Sequence, residues 1–307
     1  MPTALITHRD CVLHEISPGH PECPERIDAI LDQLKKVGVY DFLTHMDAPI
    51  ASREHLRLAH PENYIDNLYQ LAPASGRVSL DADTAMNEHT LNAALRAAGG
   101  AVAAVDSVMT GDVSNAFCLV RPPGHHAEKN RAMGFCFFGN VVIAARHALE
   151  HYDLNRVAIV DFDVHHGNGT EDIVDGDGRI LFCSSFQHPF YPGGFRENVT
   201  GQRVNVPLRA GTTSADFRAK ITEHWLPALN DFAPELLVIS AGFDAHLEDP
   251  LAEVCLLDND FGWITEKLMD IAIEHASGRI VSMLEGGYSL PALARSATLH
   301  IKTLAKL

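Results

Sequence analysis

The feature that most constrains the fold is an alternation of short apolar runs, rich in β-branched residues, with longer stretches of helical character. Seven runs are predicted strands: residues 4–7, 116–120, 157–160, 180–184, 204–207, 236–240 and 280–284. Several are apolar almost throughout, which is typical of parallel strands covered on both faces. The predicted helices are residues 24–37, 88–110, 139–151, 214–231, 259–275 and 290–304. The alternation predicts an α/β fold with a central, mostly parallel sheet flanked by helices.

The organisation of the chain favours one domain. Length alone, at 307 residues, allows for about two domains. However, a single α/β domain of this size buries a proportionally large core. The sequence has no internal repeat, no low-complexity tract and no linker rich in Pro, Gly or Ser. We therefore expect a single domain over residues 1–307.

Composition argues against two classes of partner. The chain has 24 Lys and Arg against 40 Asp and Glu, a formal net charge of −16. Such a surface repels nucleic acid and anionic lipid. No stretch reaches the ~18 consecutive apolar residues of a membrane helix, and the N-terminal residues lack the pattern of a secretory signal. We expect a cytoplasmic protein without direct nucleic-acid or membrane binding; whether it forms a homo-oligomer is left open.

Reactive side chains directly follow four of the predicted strands. The motifs are RPPGHH at 121–126, DFDVHHGNG at 161–169, AGFD at 241–244 and EGGY at 285–288. In open α/β sheets, ligands bind in the crevice outside the carboxyl ends of the strands. The four motifs are therefore expected to converge on one crevice.

The segment after the third predicted strand has the pattern of a metal site. In extended chain, Asp161, Asp163 and His165 share one face because they are spaced by two residues. Two carboxylates beside an imidazole are costly to bury unless a cation compensates them, and Zn²⁺ accepts such ligands. Asp244 offers a third ligand, and three protein ligands with one open position describe a catalytic zinc site. Taken alone, the segment fits an Asp–His hydrogen-bonded turn equally well.

Two further motifs supply groups for hydrolysis. The tandem His125 and His126 follow two prolines and a glycine, and two adjacent histidines can act as general base and general acid near neutral pH. A single histidine there would more often be a structural core residue. Tyr288 follows two glycines, where its hydroxyl could polarise a carbonyl or stabilise an oxyanion. On its own it would read as a packed aromatic residue, so the combination of motifs carries the prediction.

In this combination and order, the motifs resemble the histone deacetylase superfamily, arginase-fold hydrolases that include deacetylases, acetylpolyamine amidohydrolases and acetoin-utilization proteins. The resemblance covers nearly the whole chain, from HPE at 20–22 and PER at 24–26 to SAGFDAHLEDP at 240–250 and EGGY at 285–288. It implies a single-domain arginase/deacetylase-like fold and metal-dependent hydrolysis of linear amides. The implied cofactors are Zn²⁺, with Fe²⁺ as the alternative, and a structural K⁺.

The resemblance also implies roles for the reactive residues. The positions that match the zinc ligands are Asp163, His165 and Asp244. The positions that match the catalytic groups are His125, His126, Tyr288, Asp161 and Asn168. Of the two histidines, His126 is the better candidate for the general base, and Tyr288 matches the residue that stabilises the tetrahedral intermediate. Asp161 matches the residue that orients His125, and Asn168 the one that partners His126. In the resembled superfamily, class I enzymes have Asp at the position of Asn168, whereas the class II group has Asn, so the sequence is similar to class II.

Two further sets of positions follow from the same resemblance. The substrate tunnel is matched by Gly134, Phe135, Tyr191 and Leu251, with Asp81 or Asp83 as a rim carboxylate. The structural potassium site is matched by Asp161, Asp163, His165, Ser184 and Ser185, largely through backbone oxygens.

The expected activity is the removal of acetyl or short acyl groups from N-acetylated amines, with an acetyl-lysine peptide or protein, or an acetylated small molecule, as substrate. Leu251 favours acetyl-lysine, because the polyamine-selective vertebrate branch of the resembled family carries a glutamate there. An acetylpolyamine amidohydrolase is the nearest alternative. A binuclear manganese ureohydrolase shares the implied fold but needs further bridging carboxylates. A non-catalytic binding protein would lack a ligand or Tyr288, and the sequence lacks neither.

Overall fold

A computed structural model describes residues 2–307 and contains ten strands in that range. They are β1 (Thr3–Thr7), β2 (Thr44–Asp47), β3 (Arg77–Ser79), β4 (Ala85–Asn87), β5 (Asn115–Cys118), β6 (Val157–Asp161), β7 (Ile180–Gln187), β8 (Arg203–Leu208), β9 (Leu236–Ala241) and β10 (Ile280–Leu284). Eight of them form one sheet in the order β2-β1-β5-β10-β9-β6-β7-β8, and every neighbouring pair is parallel. Strands β3 and β4 form a separate antiparallel pair.

Helices cover both faces of this sheet. They are α1 (Glu25–Lys36), α2 (Arg53–Arg57), α3 (Glu62–Leu71), α4 (Thr90–Thr110), α5 (Asn140–His151), α6 (Asn168–Val174), α7 (Ser214–Phe232), α8 (Asp258–His275) and α9 (Leu290–Leu304). Helices α1, α7, α8 and α9 pack together as one group, and α2, α4, α5 and α6 as another. No helix within residues 2–307 combines the length and apolar character needed to span a bilayer. The predicted layered α/β architecture is confirmed.

Burial along the strands explains why the central ones were recognisable from sequence. Every residue of β5, β6, β7, β9 and β10 is buried, as expected for parallel strands between two helical layers. Strand β2 lies at the edge of the sheet and alternates half-buried with exposed residues. A single apolar core runs through the sheet and both helical groups.

The order of the strands fixes where a ligand can bind. From β6 the chain proceeds to β7 and β8 on one side, and then returns to β9 on the other side of β6. Such a reversal opens a crevice outside the carboxyl ends of the two strands between which it occurs. The segments that follow β6 and β9 carry DFDVHH and GFD, so the topology places these motifs beside one another.

Candidate metal centre and active site

Three of the predicted ligands converge at the crevice between β6 and β9. One donor atom from each of Asp163, His165 and Asp244 lies within 4.8 Å of the others, and all three residues are buried. The Nδ1 atom of His165 is 3.0 Å from an oxygen of Asp163 and 3.1 Å from an oxygen of Asp244. Within residues 2–307, this is the one such group of three or more His, Cys, Asp or Glu side chains.

Backbone amides orient the two carboxylates. The Oδ1 atom of Asp163 accepts a hydrogen bond from the amide of His165 (2.8 Å), and its Oδ2 atom accepts one from Gly286 (2.8 Å). The Oδ1 atom of Asp244 accepts a hydrogen bond from the amide of Val164 (2.9 Å). A Cβ atom on Gly286 would lie 2.1 Å from an oxygen of Asp244, so only glycine permits this approach. The carboxylates are thus held in place by the chain itself.

The charge distribution of this cluster suits a divalent cation. Burial disfavours charge on His165, but its hydrogen bonds with Asp163 and Asp244 outweigh burial and raise its pKa to about 10. Burial and the charge of Asp163 raise the pKa of Asp244. The cluster therefore needs positive charge between its carboxylates. One imidazole nitrogen and two carboxylate oxygens form a donor set that zinc accepts, with a position left for water or substrate.

The tandem histidines differ in their partners. The Nδ1 atom of His125 is 3.0 Å from Oδ2 of Asp161, and the Nδ1 atom of His126 is 2.7 Å from Oδ1 of Asn168. The Nδ2 group of Asn168 donates to a carboxylate oxygen of Glu128 (2.8 Å), which identifies the amide oxygen as the atom facing His126. Because that oxygen can only accept, Nδ1 of His126 carries a proton. The Nε2 atom of a neutral His126 is then free to act as a base.

The surroundings of His125 and His126 also shift the pKa values of the two side chains in opposite directions. For His125, burial opposes the charged form, but the carboxylates of Asp163, Asp161 and Glu285 outweigh it and raise the pKa well above the usual range. For His126, burial and the neighbouring His125 and His165 hold the pKa well below it. Titratable neighbours whose pKa values are pushed apart in this way are typical of an acid and base pair.

A narrow cavity of about 90 Å³ leads to this cluster. Its lining residues are Asp83, His126, Gly134, Phe135, His165, Tyr191, Leu251 and Tyr288. The ring of Phe135 lies 6.1 Å from that of Tyr288, and the ring of Tyr191 lies 5.2 Å from that of His126. A larger cavity of about 390 Å³ opens at the opposite, amino ends of β5 and β10, and none of the reactive motifs lines it. The volume of a cavity alone therefore does not identify the active site in this protein.

The structure distinguishes the two candidate rim carboxylates. Asp83 is half-buried and lines the cavity. Asp81 is exposed, and its Oδ1 atom instead accepts hydrogen bonds from the amides of Asp83 (3.0 Å) and Thr84 (2.6 Å). Asp81 therefore stabilises the turn that presents Asp83.

The residues expected at a potassium site lie at one corner of the sheet. Asp161 at the end of β6 is in register with Ser184 of β7, and Ser185 is the next residue along that strand. The Oγ atom of Ser184 is 3.1 Å from Nδ1 of His166. The segment from Asp161 to His165 thus adjoins β7 at Asp161, which pairs with Ser184, and at Val164, whose carbonyl oxygen accepts a hydrogen bond from the amide of Gln187 (2.8 Å).

Two buried carboxylates of the site had no role in the sequence-based interpretation. The Oε2 atom of Glu285 accepts hydrogen bonds from the amides of Gly124 (2.7 Å) and His125 (3.1 Å), so it holds the histidine loop. Burial raises the pKa of Glu285 to about 7. The Oδ2 atom of Asp249 accepts a hydrogen bond from the amide of Tyr288 (2.7 Å). Glu285 belongs to the motif EGGY and Asp249 to the motif SAGFDAHLEDP. The position of Glu285, a charged residue directly after an apolar strand, could have indicated a role in the site.

An arginine network behind the cavity was also missed. The Nε atom of Arg26 donates to the carbonyl oxygen of Gly287 (2.8 Å), and its guanidinium carbon lies 5.2 Å from the ring centre of Tyr288. Glu22 accepts hydrogen bonds from both Arg26 (3.2 Å) and Arg121, including one of 2.7 Å from the latter. Arg26 of the motif PER thus contacts the loop of Tyr288 from behind, and Glu22 of the motif HPE binds Arg26.

Comparison with known proteins agrees with this geometry. The histone deacetylase domain family matches residues 20–304. The chain is 36% identical to a probable deacetylase of Archaeoglobus fulgidus, over 94% of this chain and 82% of the relative. It is 37% identical to the polyamine deacetylase HDAC10 of Mus musculus, over 99% of this chain and 48% of that relative. The crystal structure of the HDA15 HD domain superposes with a TM-score of 0.93 at 34% identity, covering 99% of this chain and 88% of that domain.

Proposed function

The chain belongs to the histone deacetylase family, and from this we propose that it is a zinc-dependent enzyme that removes acetyl or short acyl groups from N-acetylated amines, with acetyl-lysine side chains as the preferred substrates. The observation that carries the proposal is the position of the Asp163, His165 and Asp244 cluster, which adjoins a narrow cavity beside a neutral histidine base. Within residues 2–307 one such cluster is found, which disfavours a binuclear ureohydrolase.

In this proposal Asp163, His165 and Asp244 would hold the metal, and the bound ion would supply Lewis-acid chemistry at the reacting carbonyl. Zinc is favoured over Fe²⁺ by family resemblance alone. His126 accepts a proton from the attacking water at Nε2, since its Nδ1 donates to Asn168. His125, held by Asp161, is placed to return a proton to the leaving amine. A structural K⁺ bound by the backbone of 161–165 and by Ser184 and Ser185 belongs to the same proposal.

Tyr288 stabilises the negative charge that develops on the acyl oxygen. Its ring lines the cavity opposite His126, and the pKa of its phenol is raised well above the usual range by burial and by Asp244. The hydroxyl therefore stays protonated and can donate a hydrogen bond. Phe135 and Tyr191 provide the aromatic walls along which the apolar stem of an acylated lysine would lie.

Metal analysis of the purified protein tests the proposal directly. We expect one zinc per chain, complete loss of turnover on chelation, and loss of metal in Asp244→Ala. Tyr288→Phe is the matched control: it should retain zinc but lose about 10²–10³ in kcat, the usual effect of removing one oxyanion donor. Two manganese ions per chain, both needed for activity, would instead indicate a ureohydrolase.

Acetylpolyamine hydrolysis is the second candidate, because one relative is a polyamine deacetylase. Leu251 argues against it: this half-buried side chain lines the cavity and can cover an apolar stem but cannot pair with a secondary ammonium. Asp83 argues for it, since its carboxylate lines the same cavity. We favour acetyl-lysine because Leu251 replaces the charged residue that marks the polyamine-selective branch.

The selectivity of Leu251→Glu decides between the two substrates. A hydrogen bond with a charged group contributes about 1.5–3 kcal/mol, which corresponds to a change of roughly 10- to 150-fold. The wild type should have the higher kcat/KM for an acetyl-lysine peptide, and Leu251→Glu should shift the ratio toward acetylspermidine by that factor. A wild type that prefers acetylspermidine tenfold or more, unchanged by the substitution, would show that the assignment of Leu251 is wrong.

The setting of this activity is part of the proposal. We place a single catalytic domain over residues 1–307 in the cytoplasm, acting without direct nucleic-acid or membrane binding. The net charge of −16 supports the expected lack of nucleic-acid and membrane binding, because a negative surface repels nucleic acid and anionic lipid. The same charge favours the approach of cationic substrates.

A further inference from the structure

Asp249 connects two loops of the active site through its carboxylate. Its Oδ2 atom accepts hydrogen bonds from the amides of Tyr288 (2.7 Å) and Ser289 (3.3 Å), and its Oδ1 atom accepts one from Leu251 (3.0 Å). Its own amide donates to the carbonyl oxygen of His246 (2.9 Å). At 7% exposure the carboxylate is shielded from water, so these hydrogen bonds are not in free exchange with solvent.

The segment before Tyr288 gives this contact its importance. Gly286 and Gly287 precede the tyrosine, and Gly287 has a φ of +120°, a conformation that L side chains rarely adopt. The two glycines allow the chain to pass close to Asp244 and Phe243. However, the backbone freedom of two glycines also allows the following residue to take many positions, and these must be restricted if its hydroxyl is to be held in place. The hydrogen bond from the amide of Tyr288 to Asp249 supplies that restriction at the tyrosine itself.

We propose that Asp249 is the positioning residue for Tyr288: by binding the amides of Tyr288 and Ser289 it holds the phenol over the reacting carbonyl, and through Leu251 it couples this position to the tunnel rim. The inference rests on the proposed function of Tyr288. It assigns to Asp249 no contact with substrate or metal. Its effect on kcat passes through the tyrosine, while its hydrogen bond with the amide of Leu251 acts at the tunnel rim.

A purely structural role makes a different prediction. The amides of Tyr288 and Ser289 immediately precede α9, so Asp249 could simply stabilise the start of that helix. In that case its loss would lower stability but would not act specifically through the hydroxyl of Tyr288. Double-mutant analysis separates the two roles, since only residues that act through one another are non-additive.

The test compares kcat for acetyl-lysine hydrolysis in wild type, Asp249→Asn, Tyr288→Phe and the double variant, with zinc content and melting temperature checked in each. Asparagine keeps the size of the side chain but has one acceptor oxygen and no negative charge, so it cannot bind the amide of Leu251 together with those of Tyr288 and Ser289, and whichever it binds it binds more weakly. We expect Asp249→Asn to lower kcat about tenfold or more in wild type and less than about threefold in Tyr288→Phe, with KM changing little. An equal loss in both backgrounds, or no loss in wild type, would overturn the inference.

Asp260 provides a matched control. It is another buried carboxylate that accepts a backbone amide beside a helix start, from Leu257 (2.8 Å), but it contacts no residue of the cavity. Asp260→Asn should lower the melting temperature yet leave kcat of the folded enzyme within about threefold of wild type. If it reduces kcat as Asp249→Asn does, general destabilisation is the cause and the inference fails.

A spectroscopic measurement keeps the inference testable apart from catalysis. With 3-fluorotyrosine placed at position 288, ¹⁹F NMR should show one resonance in the wild type and a shifted or multiple signal in Asp249→Asn or the smaller Asp249→Ser. Identical spectra would contradict the positioning role. Absence of turnover on every acylated amine would refute the proposed function, while the NMR comparison would still decide on Asp249.

Discussion

Glycines next to the carboxylates of the proposed metal centre determine how closely the active-site loops approach. A Cβ atom on Gly242 would lie 2.1 Å from an oxygen of Asp163, and one on Gly286 would lie 2.1 Å from Asp244 and 2.6 Å from Asp163. These distances are far inside van der Waals contact and involve buried atoms. The carboxylates of Asp163 and Asp244 therefore require neighbouring residues with no side chain.

The substitution Gly286→Ala tests this steric requirement, because it adds a single methyl group next to the carboxylates. We expect it to displace the carboxylates of Asp244 and Asp163, which should weaken zinc binding and lower the melting temperature. Gly178→Ala is the control, because its Cβ would meet no atom within 4 Å. Zinc titration and thermal unfolding of both variants measure the effect. Normal zinc affinity in Gly286→Ala would show that the loops relax more easily than the geometry indicates.

For individual residues, the sequence indicated which side chains belong to the site better than it indicated what each of them contacts. Asp163 and His165 were candidates because of their spacing of two residues, and Asp244 because it follows another strand; the structure brings the three side chains together. Asp249 and Glu285 stand in motifs that were recognised, but their partners are backbone amides. Backbone amides have no sequence signature, so a residue that binds them can be assigned only once the fold is known.

The elements that carry the site are loops at the carboxyl ends of β5, β6, β9 and β10. The sequence predicted these strands because they are buried on both faces and therefore largely apolar. It missed β2, whose four residues alternate in burial at the sheet edge, and α6, which begins inside the glycine-containing motif. Helix α3 was also missed, although Tyr64, Ile65 and Leu68 follow Pro61 at helical spacing. Short or one-sided elements depend on tertiary contacts that local sequence does not encode.

One buried histidine secures the start of α5 and makes stability depend on pH. The Nε2 atom of His60 accepts a hydrogen bond from the amide of Gly139 (2.9 Å), and its Nδ1 group donates to the carbonyl oxygen of Lys129 (3.2 Å). Burial lowers the pKa of His60 to about 4 from its ordinary value of 6.5. Because the folded pKa is the lower one, the contribution is complete above pH 6.5 and is lost as the pH falls toward 4.

The expected size of this loss is roughly 3 kcal/mol, since each pH unit between the two pKa values corresponds to about 1.4 kcal/mol. His60→Gln should flatten the pH dependence of the free energy of unfolding between pH 6.5 and 4 by that amount. Denaturant unfolding at several pH values measures it. Measurements at pH 8 provide the reference, because the ring is neutral there in both states. An unchanged slope in the variant would contradict the role of His60.

For the molecule as a whole, the metal centre concentrates negative charge in a protein that is already acidic. The formal net charge is −16, and two buried carboxylates meet at the crevice. Burying like charges without a counter-ion is unfavourable. Metal binding should therefore stabilise the entire fold in addition to enabling chemistry.

Thermal unfolding with and without zinc tests this expectation. A ligand at 100 times its Kd that binds only the folded state stabilises it by about 2.7 kcal/mol, which corresponds to an increase in Tm of about 5 °C for a chain of this size. The increase should be absent in Asp244→Ala. If that variant shows the same shift, zinc is binding elsewhere on the surface.

The strand order has a consequence for how the protein emerges from the ribosome. Strands β9 and β10 are the last to be synthesised, yet they occupy the middle of the sheet, between β5 and β6. Until they appear, any sheet in the nascent chain would be limited to two three-stranded groups, β2-β1-β5 and β6-β7-β8, that are not hydrogen-bonded to each other and that each have an unpaired inner edge. Such edges are templates for aggregation. The cluster of Asp163, His165 and Asp244 is also incomplete until Asp244 has left the exit tunnel. If this cluster holds zinc as proposed, the metal can bind with all three ligands only at the closing stage of biosynthesis.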